Sequence, residues 1–168
     1  MTEKNFAGRI EMDPIAYVSN CRYDLSDDYW GGLISKIRLV PRISADALRG
    51  IEEFSHLDIV FHFHRCDSST EFYGSRRPRN NPDWPEVGIL AQRAKNRVNR
   101  LGLTTVKLLK VSDRELTVSV LDAVDGTPVL DIKPVIREFL PCSEVHQPLW
   151  LSELMRDYWR TPTSSDGE

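Results

Sequence analysis

Apolar residues recur at every second position in segment after segment of this chain, and that period limits the folds open to it. In 33–40, LISKIRLV, Leu33, Ile37 and Leu39 fall on one side while Lys36 and Arg38 point the other way. In 57–64, LDIVFHFH, Ile59, Phe61 and Phe63 align; in 116–124, LTVSVLDAV, Leu116, Val118 and Val120 do. Residues 15–18, 103–111 and 129–136 supply three more candidates, and Gly, Pro and Asp divide the set. Period two is the signature of strands with one buried face. Six short strands at close spacing predict a mainly β fold, a small antiparallel barrel or sandwich.

Two helical pieces are expected beside the strands. Residues 45–54, ADALRGIEEF, have Ser44 as an N-cap and Gly50 weakening the middle. After Pro148, the residues Leu151, Leu154, Met155, Tyr158 and Trp159 recur at helical spacing. This predicts one domain over 1–147, an amphipathic helix over 148–160 packed on the barrel or a second subunit, and a disordered tail over 161–168. Residues 74–86, with three prolines, read as a long loop.

Composition excludes several classes. The apolar runs are too short to span a bilayer, and the N-terminal MTEKNFAGRIEMDP lacks the apolar core of a secretion signal. Cys21, Cys66 and Cys142 form no CxxC and are odd in number, which fits reduced thiols in the cytoplasm. The net charge of −3 makes no global case for nucleic acid, yet 76–100 carries seven Lys or Arg against Asp83 and Glu86. That segment either faces an anion or is a solvated loop. No GxGxxG, P-loop, GxSxG or HExxH occurs, so a doubly wound nucleotide fold has no support.

Three places carry candidate chemistry. Asp58, Val60, His62, His64 and Cys66 would share a strand face. Consecutive positions there stand about 7 Å apart, a poor fit to one tetrahedral ion, so no metal is expected. His56 sits at a helix–strand junction, where it could reach a pocket or cap a helix end. In 125–134, DGTPVLDIKP, Asp125, Gly126 and Pro128 are turn formers. Strict alternation then puts Val129, Asp131 and Lys133 on one face and Leu130 and Ile132 on the other; an idle surface pair and a functional pair both fit.

DGTPVLDIKP resembles the signature of the TsaA-like (TrmO-type) methyltransferases. Residues 45–64 and the RRPR of 76–79 are similar to further blocks of that family, and the resemblance covers roughly 11–141. It implies a small β-barrel that binds S-adenosylmethionine as a homodimer and methylates an adenosine of the tRNA anticodon loop. A smaller anionic acceptor, or donor binding without catalysis, are the alternatives. The family pattern Arg-x-x-x-Arg-Pro-Asn-Pro-x-Gly runs here from Arg93 to Gly102 with Val98 and Arg100 in place of the prolines. The family's N-terminal Pro-Arg-Gln has no counterpart, and SDDYWGG (26–32) stands in its region.

The roles that follow from the resemblance are these. Asp125, Gly126, Thr127, Pro128, Asp131, Lys133, Arg97 and Asn99 would hold the donor. Arg76, Arg77, Arg93 and Arg100 would bind the acceptor. Asp131 would help to orient the reaction, with His56 or His62 as proton acceptor.

Overall fold

The computed structural model describes residues 8–162. The expected tail lies largely outside them, in 163–168, as does 1–7 of the N-terminal segment. Six strands close an antiparallel barrel in the order β1 (Ala16–Ser19), β2 (Ile34–Leu39), β7 (Glu115–Ser119), β6 (Leu101–Ser112), β3 (His56–His62) and β8 (Pro128–Pro134). The two-residue strands β4 (Ser75–Arg76) and β5 (Val87–Gly88) pair with each other and close the long Pro-rich segment at its two ends. The barrel expectation is met, because period two lets each strand give one face to a shared interior. Ile37, Leu57, Ile59, Phe61, Val106, Leu116, Val118 and Val129 fill it and are fully buried.

Three local readings need correction. The expected helix 45–54 is two 3₁₀ turns, Ala45–Leu48 and Ile51–Glu53, with Gly50 between them at φ 83°. Ser44 does cap the first, accepting from the Asp46 N–H at 3.2 Å. The expected helix over 148–160 is one short helix, α1 (Leu149–Leu154), followed by turns. The third concerns strict alternation, which fails at two points. Val120 adopts φ 67°, left-handed and costly for a β-branched residue, so β7 ends at Ser119 and Leu121 rather than Val120 enters the core. In β8, Asp131 pairs with Val60 but Val129 pairs with Phe61, a bulge at Leu130. Val129 therefore points inward while Asp131 and Lys133 remain on the outer wall, and the face shared by all three is lost.

Gly102 of β6 lies opposite Phe61 of β3, and the Phe61 ring covers it. A Cβ there would overlap three ring atoms of a fully buried phenylalanine, which also packs edge-on against Phe63 at 5.2 Å. Gly102→Ala is therefore expected to cost about 1–3 kcal/mol. Thermal unfolding measures this, and an unchanged Tm would contradict the packing described.

Candidate functional site

One end of the barrel opens into a cavity of about 1310 Å³. Phe61, Gly102, Thr104 and Thr127 reach it from the barrel, Trp30 from the β1–β2 connection, and Arg93, Arg97 and Asn99 from the basic segment. The far wall is the C-terminal segment, with Trp150, Met155, Tyr158 and Trp159. The amphipathic stripe thus packs over the barrel mouth.

The DGTP turn is fixed by the chain leaving β1. The Gly126 N–H donates to the Val18 carbonyl at 2.9 Å, and the Val18 N–H to the Thr127 carbonyl at 2.9 Å. The Asp125 carboxylate accepts from the Asn20 N–H at 3.0 Å, while its own N–H donates to the Arg22 carbonyl at 2.9 Å. Gly126 has φ 76°, which favours glycine, and a Cβ there would stand 3.9 Å from His64 Nε2. Of the four turn residues, only Thr127 lines the cavity, and it is buried. Asp125 is engaged in closing the barrel.

The other expected site residues separate into two groups. Arg76, Arg93, Arg97 and Asn99 meet at the cavity. Arg76 donates to Asn96 Oδ1 at 2.5 Å, Arg97 to the Gln92 carbonyl at 2.9 Å and Arg93 to the Leu103 carbonyl. Among the described residues, none of these three arginines ion-pairs with a carboxylate. Their charge is available to an anion. Arg79 and Lys95 are instead spent on Asp28 and Asp27, at 2.7 and 2.8 Å, which latches the acidic 26–32 segment to the basic one.

The second group lies elsewhere. Asp131 and Lys133 pair with each other at 2.6 Å on the outer wall, with 44% of the Asp131 and 66% of the Lys133 side chain exposed. His56 is exposed at the far end of β3, its Nδ1 2.8 Å from Ser55 Oγ. His62 ends β3 on the outer face, and burial followed by the Arg100 charge lowers its pKa. The chain then turns, with the His64 N–H donating to the His62 carbonyl at 2.7 Å, so His64 and Cys66 leave the face they were expected to share with His62. His64 lines the cavity, and burial lowers its pKa as well. Arg100 is held by Glu71 at 3.0 Å and the Cys66 carbonyl at 2.6 Å. Arg77 donates to the Pro82 and Trp84 carbonyls and braces its own loop.

Two further features shape the cavity, of which Asp122 escaped the sequence reading. Trp30, buried, lies under the Arg22 guanidinium at 3.5 Å, and Arg22 is fixed by the carbonyls of Tyr29 and Asp28. Asp122 faces the cavity and accepts from Thr104 Oγ1 and, at 2.5 Å, from the Tyr158 hydroxyl. Burial, then the Asp122 charge, pushes the Tyr158 phenol far up, so it stays protonated. The helical stripe gave Tyr158 a packing role, and the flip at Val120 concealed Asp122.

A family model described as the tRNA-methyltransferase O N-terminal domain matches residues 28–139. This chain belongs to that family. The tRNA (adenine(37)-N6)-methyltransferase of Homo sapiens is 39% identical over 150 residues, 84% of this chain and 34% of that protein. The Escherichia coli protein of the same name is 39% identical over 110 residues, 63% of this chain and 45% of the relative. A probable S-adenosyl-L-methionine-binding protein of Pyrococcus abyssi is 36% identical over 104 residues, 61% and 53% of the two chains. The chain thus spans about a third to a half of the length of these relatives. The crystal structure of TrmO from Pseudomonas aeruginosa superposes with a TM-score of 0.70 at 25% identity, over 88% of this chain and 64% of that one. Among the described residues no helix is long and apolar enough to cross a membrane.

Backbone hydrogen bonds hold the C-terminal wall. The N–H groups of Tyr29, Trp30 and Gly31 donate to the carbonyls of Asp157, Tyr158 and Arg160 at 3.1, 2.8 and 3.1 Å. A Cβ on Gly31 would overlap the Trp159 carbonyl oxygen, so only glycine permits this approach. Gly31→Ala is expected to loosen 157–160 and to speed tryptic cleavage after Arg156 several-fold. Digestion at the wild-type rate would show that the wall does not depend on this contact.

Proposed function

We propose that this protein transfers a methyl group from S-adenosylmethionine to the exocyclic amine of a modified adenosine in the tRNA anticodon loop. The observation that carries the reading is that Thr127 of the family signature and three arginines without carboxylate partners among the described residues open onto one cavity. Its volume exceeds the usual 300–1,000 Å³ of a small-molecule site, which leaves space for a donor and the end of an acceptor. When bound, the donor supplies a methyl group on a sulfonium.

The residues present suit such a group. Phe63, only partly buried, offers aromatic surface to an adenine ring or a cationic sulfur, and the edge of Trp30 adds apolar lining. Thr127 and Asn99 offer hydrogen bonds, and Arg97 complements a carboxylate. Arg76 and Arg93 take phosphate or carboxylate groups of the acceptor. The proposed setting is the cytoplasm, supported by the three free cysteines among the described residues. A homodimer is part of the same proposal, with Leu109 of β6, nearly half exposed and outside the cavity lining, as a candidate contact.

Two measurements test this reading. Mass spectrometry of tRNA nucleosides from a deletion strain should show loss of one N6-methylated adenosine derivative; an unchanged nucleoside profile would remove tRNA and leave a smaller anionic acceptor. The double variant Arg76→Ala/Arg93→Ala should weaken tRNA binding about 10–100-fold and reduce the slope of log K against log salt by about 2. An unaltered salt slope would place the tRNA elsewhere.

A further inference from the structure

We propose that Asp122 is the proton acceptor of the methyl transfer and that Tyr158, from the C-terminal segment, is its positioning residue. The inference rests on the reading above and assigns a step within it. Asp122 follows β7, and Val120 in its left-handed conformation turns the chain so that Leu121 and Ala123 enter the core while the carboxylate faces the cavity. Thr104 of β6 donates to one carboxylate oxygen and Tyr158 to the other. Two donors occupy two of the roughly four acceptor positions of a carboxylate, and the remaining lone pairs can receive an N–H from a ligand. The two hydrogen bonds come from different parts of the chain and fix the carboxylate's orientation. Proton transfer requires that the base be held at hydrogen-bond distance in a set direction.

The step balances in atoms and charge. The acceptor nitrogen's lone pair forms the new N–C bond, and the S–C bond breaks with its electron pair going to sulfur, leaving a neutral thioether. The proton lost by the nitrogen passes to the Asp122 carboxylate. A cationic sulfur and an anionic carboxylate thus become two neutral groups, which a partly desolvated cavity favours. The expected alternatives are in the wrong places for this step. His56 is at the far end of β3, and His62 and Asp131 are on the outer wall. His64 shares the cavity and competes for the role; Asp27 also lines it but is ion-paired with Lys95 at 2.8 Å. Tyr158 lies outside residues 28–139, so this contact is made by a part of the chain beyond the family domain.

The test compares the full-length wild type with Asp122→Asn, Tyr158→Phe and His64→Gln, using radiolabelled S-adenosylmethionine and bulk tRNA from a strain lacking the modification. Asp122→Asn should lower kcat at least about 100-fold, while donor affinity by calorimetry stays within about twofold. Tyr158→Phe should lower kcat about tenfold at unchanged KM, because the base remains but is less well aimed. A spectroscopic readout does not depend on turnover. Asp122→Asn removes the negative charge that helps to hold the Tyr158 proton, leaving Asp27, Arg79 and Arg93 as charges acting on it. A tyrosinate transition near 295 nm should then move to lower pH, and be absent from Asp122→Asn/Tyr158→Phe.

Wild-type kcat in Asp122→Asn, or the large loss in His64→Gln instead, would overturn the assignment. Unchanged kcat in Tyr158→Phe would overturn the positioning role. If the wild type binds donor but methylates no tRNA, the tRNA reading has failed and this step with it. The wild-type arm alone identifies that outcome.

Discussion

Closure of the barrel between β1 and β8 is the contact on which the site depends. The strands share only two ladder pairs, Ala16 with Val129 and Tyr17 with Pro128. The seam is continued by the DGTP turn, whose backbone bonds to Val18 and Arg22 and whose Asp125 carboxylate bonds to the Asn20 N–H. The polar groups of the turn therefore work on the protein itself. They leave Thr127 buried against the cavity and bring His64 close to Gly126.

Around that seam, charge and backbone pairing decide which groups remain for a ligand. The 26–32 segment neutralises Arg79 and Lys95 through Asp28 and Asp27, while Arg76, Arg93 and Arg97 stay without carboxylate partners among the described residues. The Arg79–Asp28 pair is bidentate and mostly covered, so it fixes the segment as well as shaping the field at the cavity. The same segment gives its backbone N–H groups to residues 157–160 and thereby seats Tyr158 beside Asp122.

Much of the fold was legible because burial on one face of a strand leaves a period-two record, and all six barrel strands were found from it. What that record does not contain is a break in the period. The bulge at Leu130 and the left-handed Val120 each shift the alternation by one residue. One brings Val129 inward and leaves Asp131 and Lys133 on the outer wall, and the other hides Asp122 from strict alternation. The basic segment was legible as charge, but which arginines are consumed by Glu71, Asp28 or backbone carbonyls depends on contacts far apart in sequence. Tyr158 read as packing because helical spacing reports burial and is silent on where a hydroxyl points.

The central claim is that the methyl donor occupies the cavity beneath Thr127 and beside Trp30. Heteronuclear NMR of the full chain titrated with S-adenosylmethionine tests it most directly. Shifts concentrated at 125–127, at the Trp30 indole and at 97–99, with Asp131, Lys133 and His56 unmoved, are the predicted result. Shifts centred on the outer wall around Asp131, or none at saturating donor, would contradict it.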